Sequence, residues 1–564
     1  MGQTVPSITD HSSRANLIAP LVLFVAALAF YSINLNHLPH PDELHHVIAA
    51  HGLLTTGEPQ IAEGLYTRVL LHTWMVAKSY QLFGESIAAA RVPSVVALAA
   101  CVALLFVWVR QECGSRAAWW SAVLFGASPF AVGVAQFVRF YALQTLVFTA
   151  TAMVAYYAVA GRQSLLVRAG LAVVALPLLA FGTYLQPTTL MGAVALLVWA
   201  LPALFLPWLL APEVPRARKL VVVGGSLAAG LVVIAGLSTT GVLGELWQRY
   251  REAPLFIGDR VNNFWYYHAW LNLLYPTLWP AVGILALVTI VVHPTLGSFA
   301  AVTFAVSFLL NSFAASKGMR YMVYAQPELF IIWGVAIAAL WPQLTAVLCR
   351  LRTDLAQRLD AYGASANLLG TVLVAGAIAF LLLANPTWLR SITMLADIAV
   401  PPEQPHADWP RAKDSLMPWI TSADVVVSTE ELGTLYYLGR YDIRFSPSKL
   451  EELAPDQQRE FGRDYRTGRP VIGERETLMR LIDCYRTGIV LGPATHWGAP
   501  HLIDSKTLAL IESNTVPLEL PPRTQIRAQV WNHGAIWTRP ADCADMQEFS
   551  KELLHIGSAR SPNS

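Results

Sequence analysis

The feature that most constrains this chain is a succession of long apolar stretches filling its first 385 residues. Candidate spans run over 17–36, 92–109, 117–134, 142–160, 169–185, 188–210, 220–240, 279–293, 298–314, 322–345 and 365–385. Most approach the ~20 residues needed to cross a hydrocarbon core, where a helix satisfies every backbone polar group internally. Charge is divided in the same way. Of the Asp, Glu, Lys and Arg residues, 34 fall in 1–385 and 42 in the much shorter remainder, 386–564. A net charge of +2 gives no reason to expect a nucleic-acid partner. The pattern predicts a polytopic α-helical membrane protein with about 11 transmembrane helices and a C-terminal soluble α/β domain. Its parts are a cytoplasmic tail (1–16), a transmembrane region (17–390), a soluble domain (404–540) and a polar tail (541–564).

No basic region or small-residue cleavage site accompanies Leu17–Leu35, so this segment reads as a retained first span rather than a removable signal. Tyr66–Phe83 carries Arg68, His72, Lys78 and Gln81 and reads as an amphipathic helix at the interface. With that segment left out, eleven Lys/Arg (Arg14, Arg110, Arg116, Arg162, Arg168, Arg216, Arg218, Lys219, Arg350, Arg352 and Arg358) share the cytoplasmic face. Nine fall on the opposite face of the membrane region, mostly in two long loops, 37–91 and 241–278. This sidedness puts the C-terminal domain outside. Cys484 and Cys543 lie in that domain, where a disulfide could persist; two buried free thiols are the alternative.

The external face collects the chemistry. After the first span the chain reads His40-Pro41-Asp42-Glu43-Leu44-His45-His46. Pro41 starts a helix, and the acidic pair suits its positive end as plain capping. The sharper reading is a general base that takes a proton from an acceptor hydroxyl while a phosphate leaves the other reactant. The histidines lack metal-ligand spacing, so hydrogen-bonding histidines are preferred to a divalent metal, and no cofactor is expected. Arg139 and Tyr141 sit between two apolar spans, and Lys317, Arg320 and Tyr321 occupy a similar place later. Arg68 and Lys78 lie on the amphipathic segment. Any one of these cations reads most simply as a snorkelling anchor. Several on one face beside an acidic pair suggest a site for an anionic, lipid-linked substrate, because the arginine fork suits phosphate. The cluster Phe264–Trp270 reads as an aromatic belt, or as the lining of a groove for lipid or sugar.

These features, in this order, resemble the GT-C superfamily of membrane glycosyltransferases, in the branch of protein O-mannosyltransferases and lipid A aminoarabinose transferase. The resemblance covers most of residues 17–345. It rests on Asp42-Glu43 with Thr56-Gly57-Glu58, Leu82-Phe83-Gly84-Glu85-Ser86 leading to Ala89-Ala90-Arg91-Val92-Pro93-Ser94, Ser128-Pro129 running into Arg139-Phe140-Tyr141, and Arg320-Tyr321. It implies sugar transfer from a polyprenyl-phosphate carrier to a lipid, glycan or protein acceptor, with inversion, at the external face of an inner (plasma) membrane. Asp42 would be the base and Glu43 its neighbour, with Arg139, Tyr141 and Arg320 against carrier phosphate or sugar. Aminoarabinose transferases often carry Lys-Pro-Pro where this chain has Leu65-Tyr66-Thr67-Arg68-Val69-Leu70, a departure in which Arg68 supplies the charge. Membrane lipids are further expected partners. Glycosidases use two separated carboxylates, whereas adjacent Asp42 and Glu43 point to different helix faces and suit one base.

In the soluble domain, Asp424–Ser428 and Gly488–Leu491 read as strands, the stretch through Tyr437 and Glu474–Tyr485 as helices, and Gln525–Trp531 with Ala535–Thr538 as closing strands. Alternation of this kind favours a small open sheet with helices on both faces. Neither a GxGxxG nor a P-loop occurs. Two other function classes are a transporter or flippase for lipid-linked sugars and a non-catalytic receptor or assembly protein. Charges gathered at one face, with no clear inverted repeat, weigh against transport.

Overall fold

The computed structural model describes residues 13–252, 263–360, 385–398, 406–453 and 460–540, with single residues 372, 376 and 543. Helix α1 (Ser13–Tyr31) is followed by α2 (Pro41–Thr56), a hairpin of β1 (Gln60–Ile61) and β2 (Gly64–Leu65), and α3 (Leu70–Phe83). The membrane region continues with α4 (Ile87–Cys113), α5 (Ser115–Gly126), α6 (Pro129–Ala135), α7 (Tyr141–Ala160), α8 (Leu165–Leu185), α9 (Thr189–Leu210) and α10 (Arg216–Thr239). Then come α11 (Val242–Arg251), α12 (Tyr266–Leu274), α13 (Val282–Val292), α14 (Pro294–Phe313), a 3-10 turn (Met319–Ala325) and α15 (Gln326–Asp360).

Ten of the eleven expected spans coincide with helices; the eleventh, 365–385, lies almost wholly outside the described residues. Among the described residues, six helices are long and apolar enough to cross a membrane, or seven if the α5–α6 pair is one span. That pair bends by 59°. The break follows from sequence: Ser128 caps α6 by accepting from the Ala131 N–H at 3.1 Å, and Pro129 starts the new helix because it has no N–H to lose. α8 and α9 present apolar side chains outward, as lipid-facing helices do. The segment Met319–Gln343 is instead deeply placed: its 18-residue apolar window is 78% buried, with Trp333, Phe330 and Tyr324 at the centre of the core.

α3 spans 14 residues, or ~21 Å of helix, too short for the ~30 Å of a hydrocarbon core. Leu70, Leu71, Trp74, Leu82 and Phe83 are exposed while His72, Val76, Ala77 and Tyr80 pack inward. Its exposed apolar side chains thus gather on one side of the helix.

Beyond α16 (Pro386–Leu395), the C-terminal domain contains α17 (Trp409–Ser422), β3 (Val425–Ser428), α18 (Glu431–Leu438), β4 (Ile443–Phe445) and α19 (Pro447–Leu453). It is completed by β5 (Gly462–Arg463), β6 (Pro470–Ile472), α20 (Arg475–Cys484), β7 (Thr487–Pro493), α21 (Ser505–Asn514), β8 (Val516–Pro517) and β9 (Ile526–Asn532). The seven strands run β5-β6-β4-β3-β7-β9-β8; the pairs among β6, β4, β3 and β7 are parallel. β3 shows why both faces are covered. Val425 and Val427 pack against Leu478, Leu481 and Ile482 of α20, whereas Val426 faces Leu416 and Ile420 of α17. Ala535–Thr538 forms no strand, contrary to expectation, and Ile536 is 95% exposed. The reason is positional: β9 already pairs with β7 on one side and β8 on the other. Cys484 and Cys543 form a disulfide.

Candidate active site

The turn from α1 to α2 separates the acidic pair. Pro41 opens α2, and the His40 ring accepts from the Asp42 N–H at 3.1 Å. Glu43 Oε1 accepts from the His40 N–H at 2.8 Å, closing the helix start. Glu43 is also deeply engaged elsewhere. Arg91 donates to it through Nε at 3.0 Å and Nη2 at 2.9 Å, and the Val138 N–H donates at 2.9 Å. With the side chains of Arg91 and Glu43 at 0% and 2% exposure, this is a buried bidentate pair. Arg91 further donates to the Leu35 and His37 carbonyls. Glu43 thus ties the loop before α2 to the starts of α4 and α7, and its oxygens have no capacity left for a substrate.

Asp42 points the other way. Its carboxylate, 28% exposed, accepts from Arg320 Nη1. Arg139 Nη1 donates to the Asp42 carbonyl at 3.1 Å and to the Tyr66 hydroxyl at 3.2 Å. Burial pushes the Asp42 carboxyl up, but Arg320 and then Arg139 outweigh it and hold it far below the usual carboxylate range. Tyr141 packs beside Phe137 and Phe140, in the field of Arg320, Arg139 and Asp42. Tyr321 lies against the Arg320 guanidinium. The Tyr267 hydroxyl, from the aromatic cluster of 264–270, donates to the Gly318 carbonyl at 3.1 Å and so braces the turn bearing Arg320.

The other expected cations are placed differently. Arg68 reaches the Gln186 side chain at 3.2 Å and lies over the Phe140 ring, which Arg139 also approaches. Lys78 is directed away, onto Trp74 and Gln81 of its own helix. Lys317 is buried, and its ammonium donates to the carbonyls of Asn311, Ser312 and Ala314. All three protons cap the C-terminus of α14.

Of the histidines, His45 joins the network. Its ring contacts the Asp42 carbonyl at 3.3 Å and Arg466 Nη1 at 3.1 Å, which makes it the neutral tautomer with the proton on Nδ1. Burial, then Arg139 and Arg466, push it down to about 3. His46 bonds Thr73 at 2.9 Å and stacks edgewise on His72. Among the described residues, no three His, Cys, Asp or Glu converge as a metal-holding group.

Arg466 belongs to the C-terminal domain. There the β5–β6 turn docks on the β1–β2 hairpin: Arg469 clasps Glu63 at 2.7 and 3.0 Å, and the Glu63 N–H donates to the Thr467 carbonyl at 3.0 Å. Gly64 and Gly468 permit this, since a Cβ on either would collide with the opposite backbone. Asp464 orients Arg466 through two charge-assisted bonds. Sequence reasoning assigned no role to Arg91, Tyr66 or Arg466. The charge of Arg91 within an apolar helix was a usable signal; the reach of Arg466 across 421 positions had none.

Residues 68–238, a little under a third of the chain, match the family model described as dolichyl-phosphate-mannose-protein mannosyltransferase. No curated protein sequence matches. The fold is similar to that of ArnT from Cupriavidus metallidurans bound to undecaprenyl phosphate, with 16% identity, a TM-score of 0.57, and coverage of 94% of this chain and 100% of that one. The apo form of ArnT gives 16% identity and a TM-score of 0.55, over 91% of this chain and 98% of that one. The matched family segment contains Arg68, Lys78, Arg139 and Tyr141 and leaves Asp42 and Arg320 outside it. The chain is thus a multi-pass membrane protein with the GT-C fold of ArnT, and over residues 68–238 it carries the sequence pattern of the mannosyltransferase family.

Proposed function

We propose that this protein is an inverting glycosyltransferase, moving a hexose or pentose from a polyprenyl-phosphate carrier to an acceptor hydroxyl at the external face of the membrane. The observation that carries the reading is one accessible carboxylate, Asp42, paired with Arg320 from one helix connection while Arg139 from another grips the same residue's main-chain carbonyl. The undecaprenyl phosphate bound by ArnT and the dolichyl phosphate in the family description support a lipid-phosphate donor.

In this reading Arg320 exchanges its contact with Asp42 for the donor phosphate, which returns basicity to the carboxylate. Asp42 then takes the acceptor hydroxyl proton as that oxygen bonds to the anomeric carbon. The bond from that carbon to the carrier phosphate breaks, and its electron pair leaves with the phosphate. Arg320, Arg139 and Arg68 face the charge that develops there, in a partly dry site where fixed charges act strongly. Tyr141 and Tyr321 shape the sugar side. One displacement with one base inverts the anomeric centre. Glu43 is a positioning residue, Lys317 a helix cap that holds the Arg320 turn, and Lys78 an interface anchor. The basic cytoplasmic loops and the Cys484–Cys543 disulfide support an external, periplasmic C-terminal domain in an inner membrane.

Mass spectrometry of envelope lipids and glycans, from cells with and without the protein, tests the reading. One modification, of a single sugar mass, should vanish with the gene. Unchanged envelope chemistry would count against transfer.

A further inference from the structure

A cavity of about 210 Å³ lies between the start of α2 and the C-terminal domain. His40, Pro41 and Leu44 form one wall; Glu430, just beyond β3, and Pro493 with His496, at the end of β7, form the opposite one. β3 and β7 are parallel neighbours, and β4 lies on the other side of β3. The cavity therefore sits outside the carboxyl ends of two parallel strands where the strand order reverses, the place where open α/β sheets take ligands.

Its walls mix apolar groups (Pro39, Leu44, Trp409) with neutral hydrogen-bonding ones. Among the described residues no Lys or Arg lines it, so a phosphate or carboxylate would be desolvated there without a guanidinium or ammonium partner from them. Glu430, the one acid among the described lining residues, directs both oxygens at the Gly433 N–H, at 3.0 and 3.1 Å. Burial, then the charge of Glu431, push Glu430 up to about 8, so that it is largely protonated at neutral pH. Burial and then Arg444 hold His496 down to about 4. Trp409 and Tyr437 add aromatic surface, and Thr495 and Gln525 add neutral hydrogen-bonding groups. The volume is below the ~300 Å³ at which drug-sized pockets begin, so the occupant is about one ring in size.

We infer that this cavity binds one uncharged, hydroxyl-rich saccharide ring. His40 connects it to the site above: the same imidazole lines the cavity and accepts from the Asp42 N–H. If the transferase reading holds, and only then, the ring is part of the acceptor, seated on the domain side of Asp42.

The test uses full-length, donor-free protein in nanodiscs, titrated by calorimetry and saturation-transfer NMR. The probes are methyl glucoside, methyl mannoside and N-acetylglucosamine, set against glucose 6-phosphate and glucuronate. At least one neutral probe should bind saturably and more tightly than both charged ones. Thr495→Trp, a substitution at an exposed rim position, should weaken that binding by about tenfold or more while leaving the unfolding temperature unchanged. Tyr437→Ala should weaken it too. Absence of saturable neutral binding, preference for a charged probe, or binding indifferent to both substitutions would each overturn the inference. Asp42→Asn separates the two ideas. It should retain saccharide binding, so full turnover by that variant would remove the transferase mechanism and leave the cavity assignment standing.

Discussion

Asp42 and Arg320, 278 positions apart in the chain, meet side chain to side chain. The contact joins α2 to the 3-10 turn before the most buried of the apolar spans described. Glu43, the other carboxylate of the pair, is instead saturated by Arg91 and by the His40 and Val138 N–H groups.

Replacing Arg320 should change the pH dependence as well as the rate. Arg320 is the chief group that holds the Asp42 carboxyl down, so Asp42 stays ionised as pH falls in the wild-type protein. In Arg320→Gln, Asp42 should protonate at a higher pH and lose its function as base below it. We expect kcat/KM to fall by about 10²–10³-fold, the scale of losing one charge-stabilising donor. An acid limb absent from the wild type should appear in the pH–rate profile. An unchanged profile would contradict the pairing.

Glu43→Gln should act through structure. It removes the charge from a buried pair and leaves Arg91 without its carboxylate, a loss of about 3–5 kcal/mol in comparable buried pairs. The unfolding temperature should fall clearly, and turnover should fall with it as the Asp42 turn loosens. The double variant Glu43→Gln, Arg91→Met should recover part of the stability, which a purely catalytic Glu43 would not allow.

How far the sequence discloses this arrangement depends on the range of the interaction. Apolar length marks the helices, and Ser128-Pro129 marks the break after α5, because both signals are local. The convergence of Asp42, Arg139 and Arg320 is legible through the family resemblance together with an argument about cations near apolar spans. The roles of Glu43 and Lys317 are not. Whether a carboxylate or ammonium faces substrate, a buried partner or a helix end is decided by packing between distant segments, and residue type alone carries no sign of it. In the soluble domain, the buried Val425–Ser428 run announces a central strand, whereas Val516–Pro517 becomes an edge strand only because β9 offers it a partner. Ala535–Thr538 has suitable residues but pairs with no strand among the described residues.

Glu430 should impose a pH dependence on stability. Its carboxyl is raised from 4.5 to about 8 in the folded protein, so the folded state holds a proton that the unfolded state releases. Its contribution is fully present below 4.5 and lost as pH rises through 8. The buried histidines have lowered values and gain stability as pH rises to their unfolded value of 6.5, so the cleanest window lies above it. Between 6.5 and 8 the wild type should lose stability relative to Glu430→Gln in thermal melts. Parallel melting curves for the two proteins would contradict this.

The sidedness of the C-terminal domain is open to direct measurement. Reporter fusions placed after residue 390 should be active outside the cytoplasm, whereas fusions in the 211–215 connection should report from the cytoplasm. A cytoplasmic signal after residue 390 would overturn the external assignment.

The most direct measurement is single-turnover sugar transfer by purified Asp42→Asn, using the lipid-phosphate donor identified from the envelope. Asparagine keeps the shape and removes the base, so we expect the chemical step to slow by about 10²–10⁴-fold, with donor affinity nearly unchanged. Transfer at the wild-type rate by that variant would contradict the account.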